Sequence, residues 1–122
     1  MPIYKERDDK LSFQVPDTGE IKIKIDCYDG TIVRGSFHFN DFKHVNCGQT
    51  VVIGSAQGLK GKAIKVKGAA QNPDRNPVKI QHTIFDDQGN SVSYTFPDNY
   101  SGTPEYTSPP ANVDYEFKIN MR

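Results

Sequence analysis

The sequence predicts an all-β protein, a single-domain antiparallel β-sandwich of about eight strands. Apolar and polar residues alternate with a period of two along most of the chain, and no amphipathic helix longer than about two turns can be drawn. Turn signals recur at the short spacing typical of sandwiches and barrels. The 122 residues suffice for one modest core; apolar residues make up only 35%, but an 11% aromatic content supplies large buryable side chains. The expected domain spans 1–122, with the charged opening 1–10 as a loosely ordered N-terminal segment.

Taken in order, "LSFQV" is the first expected strand. "EIKIKIDCY" follows, with Ile21, Ile23, Ile25 and Cys27 on one face and Lys22, Lys24 and Asp26 on the other. It runs into the turn dipeptide Asp29-Gly30 and then into "TIVRGSFHF". A two-residue loop would set Ile25 opposite Arg34 and mismatch the faces. A three-residue loop, Tyr28-Asp29-Gly30, sets Ile25 against Val33, Ile23 against Gly35 and Ile21 against Phe37, so that hairpin is expected, with Gly30 left-handed. "QTVVIGS" and "KAIKVKG" are two shorter strands. "VKIQHTIF", "DDQGN" and "SVSYTF" form a second hairpin, in which Val78, Ile80 and Ile84 face Val92, Tyr94 and Phe96. The last strand, "VDYEFKINM", has Val113, Tyr115, Phe117, Ile119 and Met121 inward and Asp114, Glu116, Lys118 and Asn120 outward. Residues 69–77 and 97–112, rich in Pro, Gly and Asn, read as exposed breaks.

Formal net charge is zero, which argues against a wholesale polyanion binder. The charge is nonetheless segregated. Residues 58–80 carry Lys60, Lys62, Lys65, Lys67, Arg75 and Lys79 against Asp74, and 81–122 carry six carboxylates against Lys118 and Arg122. The two segments are expected to neutralise each other in part on folding. The opening "MPIYKERDDK" is charged where a secretory signal needs an apolar run, and no stretch is apolar enough for a transmembrane helix. The expected location is therefore cytoplasmic as synthesised, or outside after release by a non-classical route. Cys27 and Cys47 are too few for a disulfide scaffold and read equally as free thiols or as one bridge.

The most enzyme-like stretch is "HFNDFKHVNC", where His38, Asp41, His44 and Cys47 stand three residues apart. On a straight helix such residues fan over about half the circumference and cannot converge on one ion. No second Cys/His cluster follows, and His82 stands alone in a strand. The stretch reads better as a strand end, one helical turn capped by Asn40 or Asp41, and a stop at Gly48. "DDQGN" lacks the ligand alternation of a calcium loop and reads as a hairpin turn.

Two surfaces suggest binding. "GLKGKAIKVKG" presents Lys60, Lys62, Lys65 and Lys67 without an acid, either as an electrostatic landing strip or as the guarded edge of a sheet. It has no interleaved aromatics and no arginine, which argues against nucleic acid. The segment 97–112 holds Tyr100 and Tyr106 among Pro97, Pro104, Pro109 and Pro110, close to Tyr94. Rigid prolines and amphipathic tyrosines suit glycans, lipid headgroups or a protein surface.

"GQTVVIGSAQGLKGKAIKVKG" (48–68), "SYTFPDNYSG" (93–102) and the final "VDYEFKI" together resemble the aegerolysins, small signal-less β-sandwich proteins, over about 48–121. Members are rich in tryptophan, which this chain lacks, and "GSAQGLKGK" carries lysines where the family turn carries acidic residues. The resemblance implies binding to membrane lipids from the aqueous side, sometimes beside a larger pore-forming partner. The overall expectation is a non-catalytic recognition or structural module without a cofactor, its ligand sites among Tyr94, Tyr100, Tyr106, Lys60, Lys62, Lys65 and Lys67. Its partner would be a protein or membrane lipid headgroups, and a homo-oligomer is compatible with the sequence. A third reading is a small enzyme or metal protein using the His38–Cys47 stretch.

Overall fold

The computed structural model describes residues 3–5, 11–33, 37–39, 43–74, 76–99 and 111–122. Among them the chain is all-β. There are eleven strands: β1 (Ile3–Lys5), β2 (Leu11–Phe13), β3 (Glu20–Tyr28), β4 (Ile32–Val33), β5 (Phe37–Phe39), β6 (Lys43–Val45), β7 (Thr50–Ser55), β8 (Ala63–Asn72), β9 (Lys79–Phe85), β10 (Ser91–Phe96) and β11 (Ala111–Met121). One helical turn, α1 (Ala56–Leu59), joins β7 to β8. The larger sheet runs β1-β11-β8-β5-β6, with β2 also pairing β11 and β4 also pairing β8; the smaller runs β10-β9-β3-β7. Eleven replaces the expected eight because "TIVRGSFHF" divides into β4 and β5, and because β1 and β6 are strands of three residues. The opening segment thus contributes Ile3–Lys5 to the sheet, and β8 extends to Asn72 into the stretch expected to be a break.

The strands are not all antiparallel. β1 and β2 both lie parallel to β11, with Ile3 opposite Asp114 and Leu11 opposite Ile119. A period-two pattern reports which face is buried and carries no sign of strand direction, so this edge was not legible in it.

The second hairpin forms as expected. Val92 stands opposite Ile84, Tyr94 opposite His82 and Phe96 opposite Ile80. In its loop Asp86 is fully engaged: its carboxylate accepts from the backbone N–H of Gln88 and Asn90 and from the Asn90 side chain. Burial draws the Asp86 carboxyl up, but these donors outweigh it and hold it below its ordinary value.

The first hairpin does not form. β3 pairs with β7 and β9 in the smaller sheet, whereas β4 pairs with β8 in the larger, so Val33 meets Ala70 and not Ile25. The turn Tyr28–Thr31 closes with Thr31 N–H donating to Tyr28 C=O at 3.0 Å, and Asp29 and Gly30 are both left-handed (φ 57° and 85°). Two apolar faces can meet as neighbours in one sheet or across the core from opposite sheets; alternation is satisfied either way.

That crossing turn is held from outside. Asn72, fully buried, donates from its side-chain amide to Asp29 C=O at 2.6 Å and accepts from Asp74 N–H at 2.9 Å. Thr31 Oγ1 accepts from Lys79 N–H at 2.9 Å. A Cβ at Gly30 would lie 2.6 Å from Asp74 Oδ2, on a backbone that disfavours L side chains. Gly30→Ala is therefore expected to lower stability by about 1–2 kcal/mol, read as a drop in the denaturation midpoint.

The core lies between the sheets. β3 contributes Ile21, Ile23 and Ile25, β9 contributes Ile80 and Ile84, and β10 contributes Tyr94 and Phe96; Ile64, Val66 and the five inward residues of β11 face them. Aromatic pairs knit the layers together: Phe96 stacks on Tyr115 at 4.2 Å and Tyr94 on Phe117 at 4.3 Å between ring centroids. Cys27 of β3 is bridged to Cys47 ahead of β7.

Candidate recognition surface

Tyr94 lies inside. It is 2% exposed, and its ring is packed against Phe117 and His82. At the centre of this group His82 is wholly buried, with Nδ1 3.0 Å from Tyr94 C=O and Nε2 2.9 Å from the Tyr115 hydroxyl. A carbonyl only accepts, so Nδ1 carries the proton and Tyr115 O–H donates to Nε2. Burial pushes the imidazole down to about 4, against the pull of the Tyr94 carbonyl, and burial pushes the Tyr115 phenol well up. In the sequence His82 stands alone, without a second His or Cys nearby. Its position two residues from both Ile80 and Ile84 was the signal that it faces inward.

The lysines do not form one patch. Lys60 and Lys62 follow α1, and Lys60 stands 3.5 Å from the Asp17 carboxylate at the end of the sandwich. Lys65 and Lys67 lie on β8, where Ile64 and Val66 take the core positions. β8 is an interior strand flanked by β11 on one side and β4 and β5 on the other, so Lys65 and Lys67 do not guard a sheet edge. Lys67 stands opposite Glu116, Lys65 opposite Lys118, and Ala69 opposite Asp114. The basic and acidic segments of the sequence thus become neighbouring strands. Their register sets one opposite-charge pair, Lys67 and Glu116, beside one like-charge pair, Lys65 and Lys118.

The opening stretch is likewise redistributed. His38 on β5 stands directly opposite His44 on β6, so a hairpin replaces the expected helical turn, and residues 40–42 lie outside those described. The Cys47 sulfur is engaged with Cys27. Among the described residues no three His, Cys, Asp or Glu are grouped to hold a metal ion, and no helix is long and apolar enough to cross a membrane.

Tyr100 and Tyr106 lie outside the described residues, but the roots of their segment are defined. At one root, Asn99 N–H donates to Thr95 C=O and Thr95 N–H donates to Asn99 Oδ1, both at 2.7 Å. At the other, Ala111 stands opposite Asn72, the residue that grips the Tyr28–Thr31 turn. Between these roots sits Tyr28, 41% exposed. Its hydroxyl donates to Gln81 Oε1 at 3.2 Å, and the Lys79 ammonium lies 5.9 Å from the ring centroid and 3.7 Å from Asp98. Tyr28 escaped the sequence reading because it ends a strand beside a turn; its outward parity with Lys22, Lys24 and Asp26 was the available clue.

Fold and surface together define an all-β chain of two facing sheets in which, among the described residues, Tyr28 is an exposed aromatic, its turn tied to Asn72 opposite Ala111 and its neighbour Lys79 reaching Asp98. No family model, curated protein or solved structure matches the chain.

Proposed function

We propose that the protein is a non-catalytic recognition module, with Tyr28 and the 97–112 segment as its contact surface. The observation that supports this most directly is Tyr28, an exposed ring fixed by Lys79 and Gln81 and bracketed by the roots of the segment that carries Tyr100 and Tyr106. An amphipathic ring beside a cation suits a surface that is partly apolar and partly polar, such as a lipid headgroup layer or a protein face. Loops on a rigid scaffold are the usual carriers of recognition. The Cys27–Cys47 bridge supports a working location outside the reducing cytosol.

The test is an NMR titration of the protein with phosphatidylcholine vesicles, with and without an anionic lipid, and with neutral oligosaccharides. Shifts are expected at Tyr28, Lys79, Gln81 and residues 97–112. The triple change Tyr28→Ala, Tyr100→Ala and Tyr106→Ala is expected to weaken binding by at least about tenfold. Shifts confined to Lys65 and Lys67, untouched by the triple change, would move the site to the face of the larger sheet and end the tyrosine reading.

A further inference from the structure

Among the described residues β10 pairs with β9 alone, and no described strand pairs with its other edge. The parity of its backbone groups follows from the hairpin. Asp86 N–H donates to Asn90 C=O, so Asn90, Val92, Tyr94 and Phe96 turn their peptide groups toward β9, and Ser91, Ser93 and Thr95 turn theirs outward. Thr95 is already engaged on both its N–H and C=O by Asn99. The outward groups of Ser91 and Ser93 have no partner among the described residues.

Edges of this kind are ordinarily guarded by lysine, proline, a bulge or a covering segment. Ser91–Phe96 contains no charge and no proline. Beside it an open groove of about 510 Å³ separates β10 from β2, and Val92, only half-buried, lines it next to Phe13.

We propose that β10 is a self-association edge, and that its occupant is β10 of a second copy of this chain, antiparallel about a two-fold axis at Val92. In that register Ser91 of one copy faces Ser93 of the other on each side of the axis, and each such pair exchanges reciprocal main-chain hydrogen bonds. All the open peptide groups are then satisfied, and the occupied Thr95 lies just beyond the paired stretch. An axis at Ser93 would set Ser91 against the occupied Thr95 and satisfy fewer groups. The Val92 side chains meet at the axis, at the roughly 4.5 Å Cα separation of a non-hydrogen-bonded pair, and cover the apolar surface each leaves open alone. No charges oppose one another along the edge, and the chain carries no net charge to hold copies apart. The inference is independent of the Tyr28 surface, which lies at the far end of β10.

Sedimentation equilibrium over a wide concentration range tests it, alongside hydrogen exchange of the Ser91 and Ser93 amides. The wild type is expected to show a monomer–dimer equilibrium, with both amides gaining protection as dimer forms. Ser91→Lys with Ser93→Lys, exposed changes that leave the core alone, places like charges opposite each other and is expected to weaken dimerisation by about tenfold. Val92→Cys is expected to form an intermolecular disulfide readily, and Ser93→Cys is not. A wild type that is monomeric throughout, a dimer indifferent to the lysine pair, or cross-linking at 93 in place of 92 would each overturn the proposal.

Discussion

Lowering the pH from 6.5 to 4 is expected to remove on the order of 3 kcal/mol of folding stability through His82 alone. The ring is enclosed by Tyr94, Tyr115 and Phe117, and none of these offers a countercharge. Burial therefore lowers its affinity for a proton from the ordinary 6.5 to about 4. Between those values the unfolded chain binds the proton and the folded chain does not, so stability rises with pH across the window and falls on acidification. The contribution is complete above about 6.5 and is lost progressively down to about 4. Carboxylates held below their ordinary values act lower on the scale: Asp86 through Asn90 and Gln88, and Asp87 through Lys22 and the Glu20 N–H. The two windows are separable. Denaturant midpoints measured at half-unit steps of pH give the slope. His82→Leu with Tyr115→Phe replaces both partners of the buried pair with apolar groups, a change that need cost little at neutral pH. The double variant is expected to lose the slope between pH 6.5 and 4 and keep the carboxylate-linked loss below it. An unchanged slope in the double variant would assign the acid sensitivity to other groups.

Much of the architecture was legible because burial and alternation are the same fact in a strand. Val113 to Met121 alternate perfectly, and β11 emerges as a central strand with that face inward. The β9–β10 hairpin was legible because its loop is short and its two apolar faces match in one register only. The β3–β4 pairing failed for a definite reason. Ile25 lies on a strand of the smaller sheet and Val33 on a strand of the larger, and the turn between them is gripped by Asn72, more than forty residues along the chain. A long-range hydrogen bond leaves no mark on local periodicity. The candidate sites suffered the same limit. Tyr94 was grouped with Tyr100 and Tyr106 by proximity in sequence, yet its parity with Val92 and Phe96 sends it into the core. Lys60 and Lys65 are close in sequence but lie beyond and within a strand, and Lys67 acquires an acidic neighbour from β11 that the sequence places about fifty residues away.

Loss of the Cys27–Cys47 bridge is expected to lower stability by about 3 kcal/mol, the chain-entropy cost of releasing a loop of this size. The bridge closes a separation of 20 residues that begins in β3, passes through β4, β5 and β6 of the other sheet, and returns to β7 beside β3. It therefore fixes in the unfolded chain a proximity that otherwise has to be found by bringing both sheets together. Its effect in the folded chain is local. Beside it Gly48 N–H donates to Ile25 C=O at 2.7 Å and Ile25 N–H to Gln49 C=O at 3.1 Å, so the entry to β7 keeps its main-chain anchors when the sulfurs part. Cys27→Ser with Cys47→Ser is thus expected to fold, with a lower denaturation midpoint and an unchanged fold by NMR. Exchange at the Ile25 and Gly48 amides is expected to accelerate only as far as global stability falls. If exchange there accelerates much more than elsewhere, the bridge holds the β3–β7 pairing locally. If the midpoint barely moves, the two cysteines are already neighbours in the unfolded chain, and residual structure in 27–47 supplies what the bridge would otherwise impose.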